Sequence, residues 1–497
     1  MRAGALIRQI REDLRPAPDR LGGTLRVTFS ALLVTVVMLT FRMPFLYIGP
    51  YLVFILSQKD MFLTRAAAGL GLGAALVASA TIYLVAWSAW DSGWLRITLW
   101  CTIFYGGYFF MRVAIEPRAI LAPLVVVALV AYGFDTYPDP NRIVSSLGWL
   151  WAILGLVVAS TFLTQWLLGA PTGIEVLRGQ VRRALVAVER ACLPRESGSL
   201  VIHHFEDLQE ELHDALGRVE KLAVAGVLSP VQGRNCGELL RACLTALEGL
   251  STAGRPVAPE FAACVRGLRR AVLSGRMDLL PTRWPDVRRL PPHLRGAADA
   301  LEAAADQLRR PSAVSSPRAA AGFLRDDWKT NPAYPDFALR AMMATIGCYL
   351  FMTLADWNGI HTCMITCAVT ALAGVDAQMR KQSLRMAGAV LGGALGMAAV
   401  IWVVPNLDSL GAFLAVLAAG TALAAWVSLG GERISYAGWQ IGLAFYMTVL
   451  QDPHPTTKLD IIRDRWVGIF VGIVAMRAAF VWFAPEQLRG SRQSGQA

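Results

Sequence analysis

The sequence predicts an all-α polytopic membrane protein, with about twelve transmembrane helices in two parallel six-helix repeats and a helical cytoplasmic domain between them. Three observations predict it. Of 497 residues, 55% are hydrophobic and only 17% charged, where an average soluble domain carries about 25% charged. The mean hydropathy is +0.46 and the apolar residues gather in long blocks free of Asp, Glu, Lys and Arg. Those blocks form two sets, similar in order, on either side of a charged middle. The composition excludes a cytosolic enzyme, a secreted disulfide scaffold and a disordered chain.

Residues 1–24 hold Arg2, Arg8, Arg11, Arg15 and Arg20 without a cleavable signal pattern, so they are expected in the cytoplasm. The first transmembrane repeat, 25–171, contains the uncharged runs 27–41, 43–58, 66–90, 97–111, 119–134 and 143–174. A helix crossing ~30 Å of hydrocarbon needs about 17–25 mostly apolar residues, and flanking Lys and Arg can snorkel to lengthen a short one. Only Arg42 parts 27–41 from 43–58; Met43-Pro44 is a turn signal, so two spans are read there rather than a partly penetrating hairpin.

The stretch 172–336 carries 23 Lys and Arg against 20 Asp and Glu. Ile174, Leu177, Val181, Leu185 and Val188 recur at helical spacing, as do Phe205, Leu208, Leu212 and Leu216. Further helices are expected near 236–250, 257–274 and 295–309, with Pro281 to Pro292 as a loop and Pro311 to Pro335 as the return linker. No GxxxxGK[ST] loop occurs, so a built-in ATP-driven pump is not expected.

The second repeat, 337–485, contains 341–355, 357–375, 386–407, 409–431, 434–451 and 466–476, the last extended through Arg477 to 485; 486–497 is a cytoplasmic tail. Asp356 alone parts the first two runs, beside the turn Trp357-Asn358-Gly359. Lys59, Arg65, Arg112, Arg118, Arg380, Lys381, Arg385 and Arg433 mark cytoplasmic turns. Asp91, Asp135, Asp139, Asp408 and Asp452 mark the opposite side, although Lys458, Arg463 and Arg465 before the last span break the rule. Both termini and the middle are therefore expected in the cytoplasm.

Four landmarks recur in order. Leu25-Arg26 matches Leu339-Arg340, and Arg65 to Ala74 matches Arg385 to Ala394. Ala131 to Pro140 matches Ala444 to Pro453, and Trp149 with Gly155 matches Trp466 with Gly472. Six spans per repeat make the repeats parallel about an axis along the membrane normal, where transport pathways commonly run. Gly69 with Gly73, and Gly388, Gly392 and Gly396, set small residues on one helix face and read as helix-packing positions.

The net charge of +11 is read as topology-holding rather than nucleic-acid binding. The eight cysteines form no CxxC pair and read as reduced apolar fillers. His203, His204, His213 and Glu210 do not match a zinc helix, and no metal or other cofactor is expected. Trp87, Trp90, Trp94 and Trp100 read as an interfacial belt.

Together these features resemble the fusaric acid resistance and aromatic acid exporter family of bacterial inner-membrane permeases. The resemblance rests on six spans, a helical insert and six more spans, and on the basic, Gly-rich starts Arg65 to Gly73 and Arg385 to Gly396. It implies a multi-pass inner-membrane efflux permease driven by the proton-motive force, exporting small aromatic or amphipathic organic acids and toxic compounds. It also implies a periplasmic adaptor (membrane fusion protein) and an outer-membrane channel in a tripartite system. Two alternatives stay open: a passive organic-anion channel, since plant malate channels look distantly similar, and a membrane-anchored structural or sensory protein. No enzymatic signature is present, and oligomeric state is not legible.

An ionisable residue inside a membrane is a functional candidate by default. Arg477 lies about eleven residues into the last span, and Arg26, Arg65, Arg340 and Arg385 recur at cytoplasmic helix ends in both repeats. All five are candidates for an anion pathway, against snorkelling or anchoring to lipid phosphates. Asp356 with His361 is the candidate proton-coupling pair, because a carboxylate near histidine tunes a group that titrates near neutrality. Asp452, Arg463, Asp464 and Arg465 are candidates for a periplasmic gate or docking point.

Overall fold

In the computed structural model the described residues are 14, 20–58, 60–137, 139–192, 201–251, 259–281, 283–286, 290, 292–309, 323–371, 375–451 and 460–482. Their regular secondary structure is helical, apart from an isolated bridge between Ala114 and Leu324. The chain divides into two compact units, one of residues 1–170 with 322–497 and one of residues 171–321.

In the larger unit the first half comprises α1 (Arg20–Thr40), α2 (Ile48–Leu56), α3 (Met61–Ala89), α4 (Gly93–Val113), α5 (Arg118–Ala131) and α6 (Pro140–Leu167). One turn, Gly133–Thr136, follows α5. Side chains cap the starts: Asp60 accepts from the Leu63 amide at 2.8 Å, Ser92 from Leu95 at 3.4 Å, and Asp139 from Arg142 at 3.2 Å, with Pro140 at the first helical position.

The smaller unit contains α7 (Gly173–Ala191), α8 (Val201–Val224), α9 (Pro230–Ser251), α10 (Pro259–Ser274) and α11 (Pro292–Arg309). The expected apolar stripe of α7 is inside at Leu177, Val181, Leu185 and Val188, while Ile174 is exposed. α9 packs against α7, α8 and α11, and its buried Leu240, Cys243 and Leu247 are the centre of that bundle.

The second half of the larger unit comprises α12 (Ala333–Leu354), α13 (Thr362–Thr370), α14 (Val375–Ala398), α15 (Leu410–Ser428), α16 (Glu432–Val449) and α17 (Asp460–Trp482). Seven helical stretches among the described residues are long and apolar enough to cross a membrane: 20–40, 61–89, 119–136, 140–167, 333–354, 382–406 and 410–428. This is a helical polytopic membrane protein.

The runs 43–58 and 357–375 are not full-length helical spans. Each contains a nine-residue helix, α2 or α13, which at 1.5 Å per residue rises only about 13 Å. The helices before them end alike. Arg42 (φ 50°) and Asp356 (φ 48°) are left-handed, and the next amide reaches back five residues, Met43 to Met38 at 2.9 Å and Trp357 to Met352 at 3.0 Å. This Schellman-type ending satisfies the last carbonyls at the expense of an unfavourable conformation for a non-glycine residue.

The two halves pack reciprocally. α1 lies against α15 and α12 against α4; α2 lies against α16 and α13 against α5. Within each half the third helix packs on the fifth and the first on the sixth. Each first-to-fourth contact carries a guanidinium over a ring, Arg20 over Trp426 at 4.6 Å and Arg112 over Phe337 at 4.4 Å. The return segment joins α4 through the amides of Ile115 and Arg325, bonded to Phe323 and Val113 at 3.1 and 2.8 Å.

Candidate functional site

The helices that pack most closely in the second half enclose two arginines. α14 and α16 approach backbone to backbone: a Cβ on Gly388 would lie 2.6 Å from Gln440 Cβ and 2.7 Å from the Ala437 carbonyl oxygen. A Cβ on Gly392 would collide with Ile441, and one on Gly396 would lie 2.5 Å from Thr448 Cβ. The contact holds Arg385 of α14 inside, 3% exposed. Its Nε donates to Thr366 Oγ1 of α13 at 3.2 Å and its Nη1 to the Tyr436 hydroxyl of α16 at 3.1 Å.

Arg465 of α17 is also 3% exposed. Its Nη2 donates to Gln440 Oε1 at 3.2 Å, and its Nη1 sits 3.0 Å from Met447 Sδ. Its Nε is buried without an acceptor among the described residues. Tyr436 and Gln440 are one turn apart on α16, so a single helix face serves both guanidiniums. Tyr47 and Tyr51 of the first half are within electrostatic reach of Arg465, and Tyr51 also of Arg385. Gly393, Met447, Thr448 and Trp466 pack around Arg465 with no space left for a water-sized molecule.

Among the described residues no carboxylate pairs with either arginine; every contact is to a neutral oxygen or sulfur. Guanidinium does not deprotonate in proteins, and burying such a charge without a counter-charge is costly.

No family model matches the chain, and no solved structure matches it. It is 26% identical over 501 residues to the multidrug resistance protein MdtO of Escherichia coli K12, covering 94% of this chain and 70% of that one. It is 28% identical over 517 residues to MdtO of Shigella flexneri, covering 95% of this chain and 72% of that one. The chain is a relative of the MdtO proteins. This relationship is consistent with a permease like those of the fusaric acid resistance and aromatic acid exporter family.

Against the MdtO-like background, the other residues singled out in the sequence fall in different surroundings. Arg26 and Arg340, equivalent in the two halves, are both buried. Arg340 is held by Asp336, Nε to Oδ1 at 3.1 Å and Nη2 to Oδ2 at 2.6 Å, so its charge is already matched. Arg65, the sequence equivalent of Arg385, is exposed. Its neighbour Thr64 points inward instead and accepts from Gln165 Nε2 of α6 at 2.8 Å. Arg477 is exposed on α17, five residues before the end of that helix; that position suits snorkelling better than a pathway inside the bundle.

The glycine expectation holds in one half only. A Cβ on Gly69 or Gly73 meets no atom within 4 Å, so close helix packing is not what those positions serve. Asp356 and His361 are not brought together. Asp356 is an exposed helix-ending residue, whereas His361 Nδ1 lies 3.1 Å from the Asn358 carbonyl and its ring stacks on Tyr132, centroids 4.6 Å apart. Arg463 pairs with Asp464 at 2.9 Å and lies 5.8 Å above Trp357, and Asp464 packs on Gly359 too closely for a Cβ. Arg465, grouped with them in sequence, turns inward. Asp452 lies outside the described residues.

Trp87 and Trp94 are exposed as a belt requires, but Trp100 is fully buried against Phe134. No group of three or more metal-ligating side chains occurs among the described residues. Sequence reasoning missed Tyr436 and Gln440. The available signal was a glutamine inside the apolar run 434–451, four residues after a tyrosine.

Proposed function

We propose that this protein is an inner-membrane efflux permease that exports small aromatic or amphipathic organic anions, with Arg385 and Arg465 as the point that holds the anionic group. The observation that carries the reading is the buried guanidinium pair whose partners among the described residues are neutral. A carboxylate arriving there gains charge-assisted hydrogen bonds and removes like-charge repulsion. The relatives named multidrug resistance proteins support the efflux direction.

The wider scheme is two parallel six-helix repeats about an axis through the molecule, both termini and the 172–336 domain in the cytoplasm, and energy from the proton gradient. The reciprocal packing of α1 on α15 and α12 on α4 supports the parallel arrangement. Arg65 and Arg477, both exposed, would anchor to lipid phosphates at the membrane surface. Arg463 and Asp464 face the outer side, where a periplasmic adaptor and outer-membrane channel would complete a tripartite path.

The test is uptake of benzoate and of neutral benzamide into everted membrane vesicles, with and without an uncoupler. Arg385→Gln and Arg465→Gln are each expected to cut benzoate uptake about tenfold or more, as loss of a hydrogen bond to a charged group implies, at unchanged protein abundance. Benzoate uptake unaffected by either substitution overturns the site, and uptake indifferent to uncoupler overturns the driven mechanism in favour of a channel.

A further inference from the structure

At the end of the larger unit where α4 and α13 begin, Asp135 joins the two halves. It lies in the turn after α5. Its Oδ1 accepts from Arg96 Nη2 of α4 at 2.7 Å, and its Oδ2 accepts from the Tyr349 hydroxyl of α12 at 2.6 Å. Three residues earlier, Tyr132 lies flat on His361, the planes 19° from parallel. One stretch of the first half thus makes two side-chain contacts with the second. The Asp135 side chain keeps 15% of its accessible surface while the residue's main chain is open, so it is sheltered yet within reach of a proton.

The equivalent junction lacks this carboxylate. By the Ala131–Ala444 register the counterpart of Asp135 is Thr448, whose hydroxyl bonds the Ala444 carbonyl of its own helix at 2.8 Å. Among the described residues, the charged and titratable groups in contact with Asp135 are Arg96 on α4 and Tyr349 on α12; Tyr132, Tyr137, Asp139 and Arg142 are its neighbours along the chain. His361 approaches through its stack on Tyr132.

The nine-residue helix α13 connects this junction to the arginine pair. His361 precedes its first residue and rests on Tyr132, and Thr366 in its middle holds Arg385. A helix this short, engaged at both points, moves as one piece.

We propose that Asp135 is the proton-accepting coupling residue, acting on the anion site through α13. A proton taken up by the Asp135 carboxylate gives the neutral acid, which ends the ion pair with Arg96 and removes the charge that holds the Tyr349 hydroxyl. The end of α5 then parts from α12, the Tyr132–His361 stack loosens, and α13 shifts Thr366 relative to Arg385. Loss of the proton restores the junction. The coupling rests on the anion-export reading; the junction's response to protonation does not.

Two measurements on the full-length protein test it. In proteoliposomes, benzoate accumulation driven by an imposed pH gradient is expected to fall about tenfold in Asp135→Asn and to recover within about threefold of wild type in Asp135→Glu. Asp135→Asn accumulating benzoate as wild type does overturns the proposal. In detergent, hydrogen exchange corrected for intrinsic rate is followed in peptides 130–137 and 345–362. Protection in wild type is expected to drop between pH 7.5 and pH 3, across the ordinary carboxylate range, and in Asp135→Asn to be low at both. Equal protection of the wild-type junction at both pH values overturns the proposal whatever the vesicles do. If wild type moves no benzoate yet shows the pH-dependent opening, the export reading has failed and the Asp135 switch stands.

Discussion

Arg465 donates to Gln440 at 3.2 Å while its own Nε, fully buried, meets no acceptor among the described residues. The guanidinium is thus positioned by one amide oxygen and left with donors to spare. Arg385, on the neighbouring helix, is held by the Tyr436 hydroxyl one turn away from that amide.

Replacing Gln440 by leucine removes the one oxygen that accepts from Arg465 among the described residues. The expected cost is about 2 kcal/mol, typical of leaving a charged donor unsatisfied. It should appear as a lowered thermal unfolding midpoint in detergent, and added benzoate should raise the midpoint of wild type more than that of Gln440→Leu.

The glycines of the third helices should respond in opposite ways. Gly392→Val pushes side-chain atoms into the Ile441 backbone and is expected to destabilise by about 1–3 kcal/mol or to block folding. Gly73→Val points into open space and is expected to leave both yield and unfolding midpoint unchanged. Comparable loss in the two variants would contradict the asymmetry.

Asp356 is a left-handed helix ending, so its backbone conformation matters more than its carboxyl. Asp356→Gly is expected to keep uptake and stability, while Asp356→Val, β-branched at positive φ, should lose about 1–2 kcal/mol. Loss of proton-driven uptake in the glycine variant with an unchanged unfolding midpoint would return Asp356 to the coupling mechanism.

In the smaller unit, burial pushes the Cys243 thiol up to about 12. At pH 8 only about one molecule in ten thousand then carries the reactive thiolate. Native alkylation should therefore leave Cys243 unmodified while the less buried Cys264 reacts slowly, and both should label fully in denaturant. Mass spectrometry of the modified peptides reads the difference.

Acid should loosen the start of α7. The Thr172 backbone amide and hydroxyl hydrogen-bond Glu175 and hold its carboxyl below the usual range. A depressed folded value contributes stability above the unfolded carboxyl value, about 4.3, and that contribution is lost as pH falls through the folded value. Amide exchange at residues 173–176 should rise below about pH 4, and Thr172→Ala should raise it already at pH 7.

Much of the architecture was legible because lipid constrains composition strongly. Runs without charge became helices, and the expected helices near 236–250, 257–274 and 295–309 appear as α9, α10 and α11. The second run of each half misled because apolarity was mistaken for helical length. Seven residues of 43–58 and six of 357–371 serve the Schellman-type ending and the turns around a nine-residue helix. The site was half legible. Arg385 stood out as a cation at the start of a Gly-rich run, matched by Arg65, whereas Arg465 was grouped with its neighbours Arg463 and Asp464, since sequence adjacency says nothing about helix face.

The order of apolar blocks, the charged middle and the matching landmarks belong to the sequence, because hydrocarbon accepts only self-satisfied helical backbone and the blocks are long enough to supply it. Which arginines face inward belongs to the tertiary structure alone. Arg65 and Arg385 open matching motifs, yet one is exposed and the other buried. In the second half α16 presses its backbone onto Gly388 and Gly392 and turns Tyr436 toward Arg385; around Gly69 and Gly73 in the first half the equivalent space is empty. A side chain's fate in a bundle is set by the helix that packs over it.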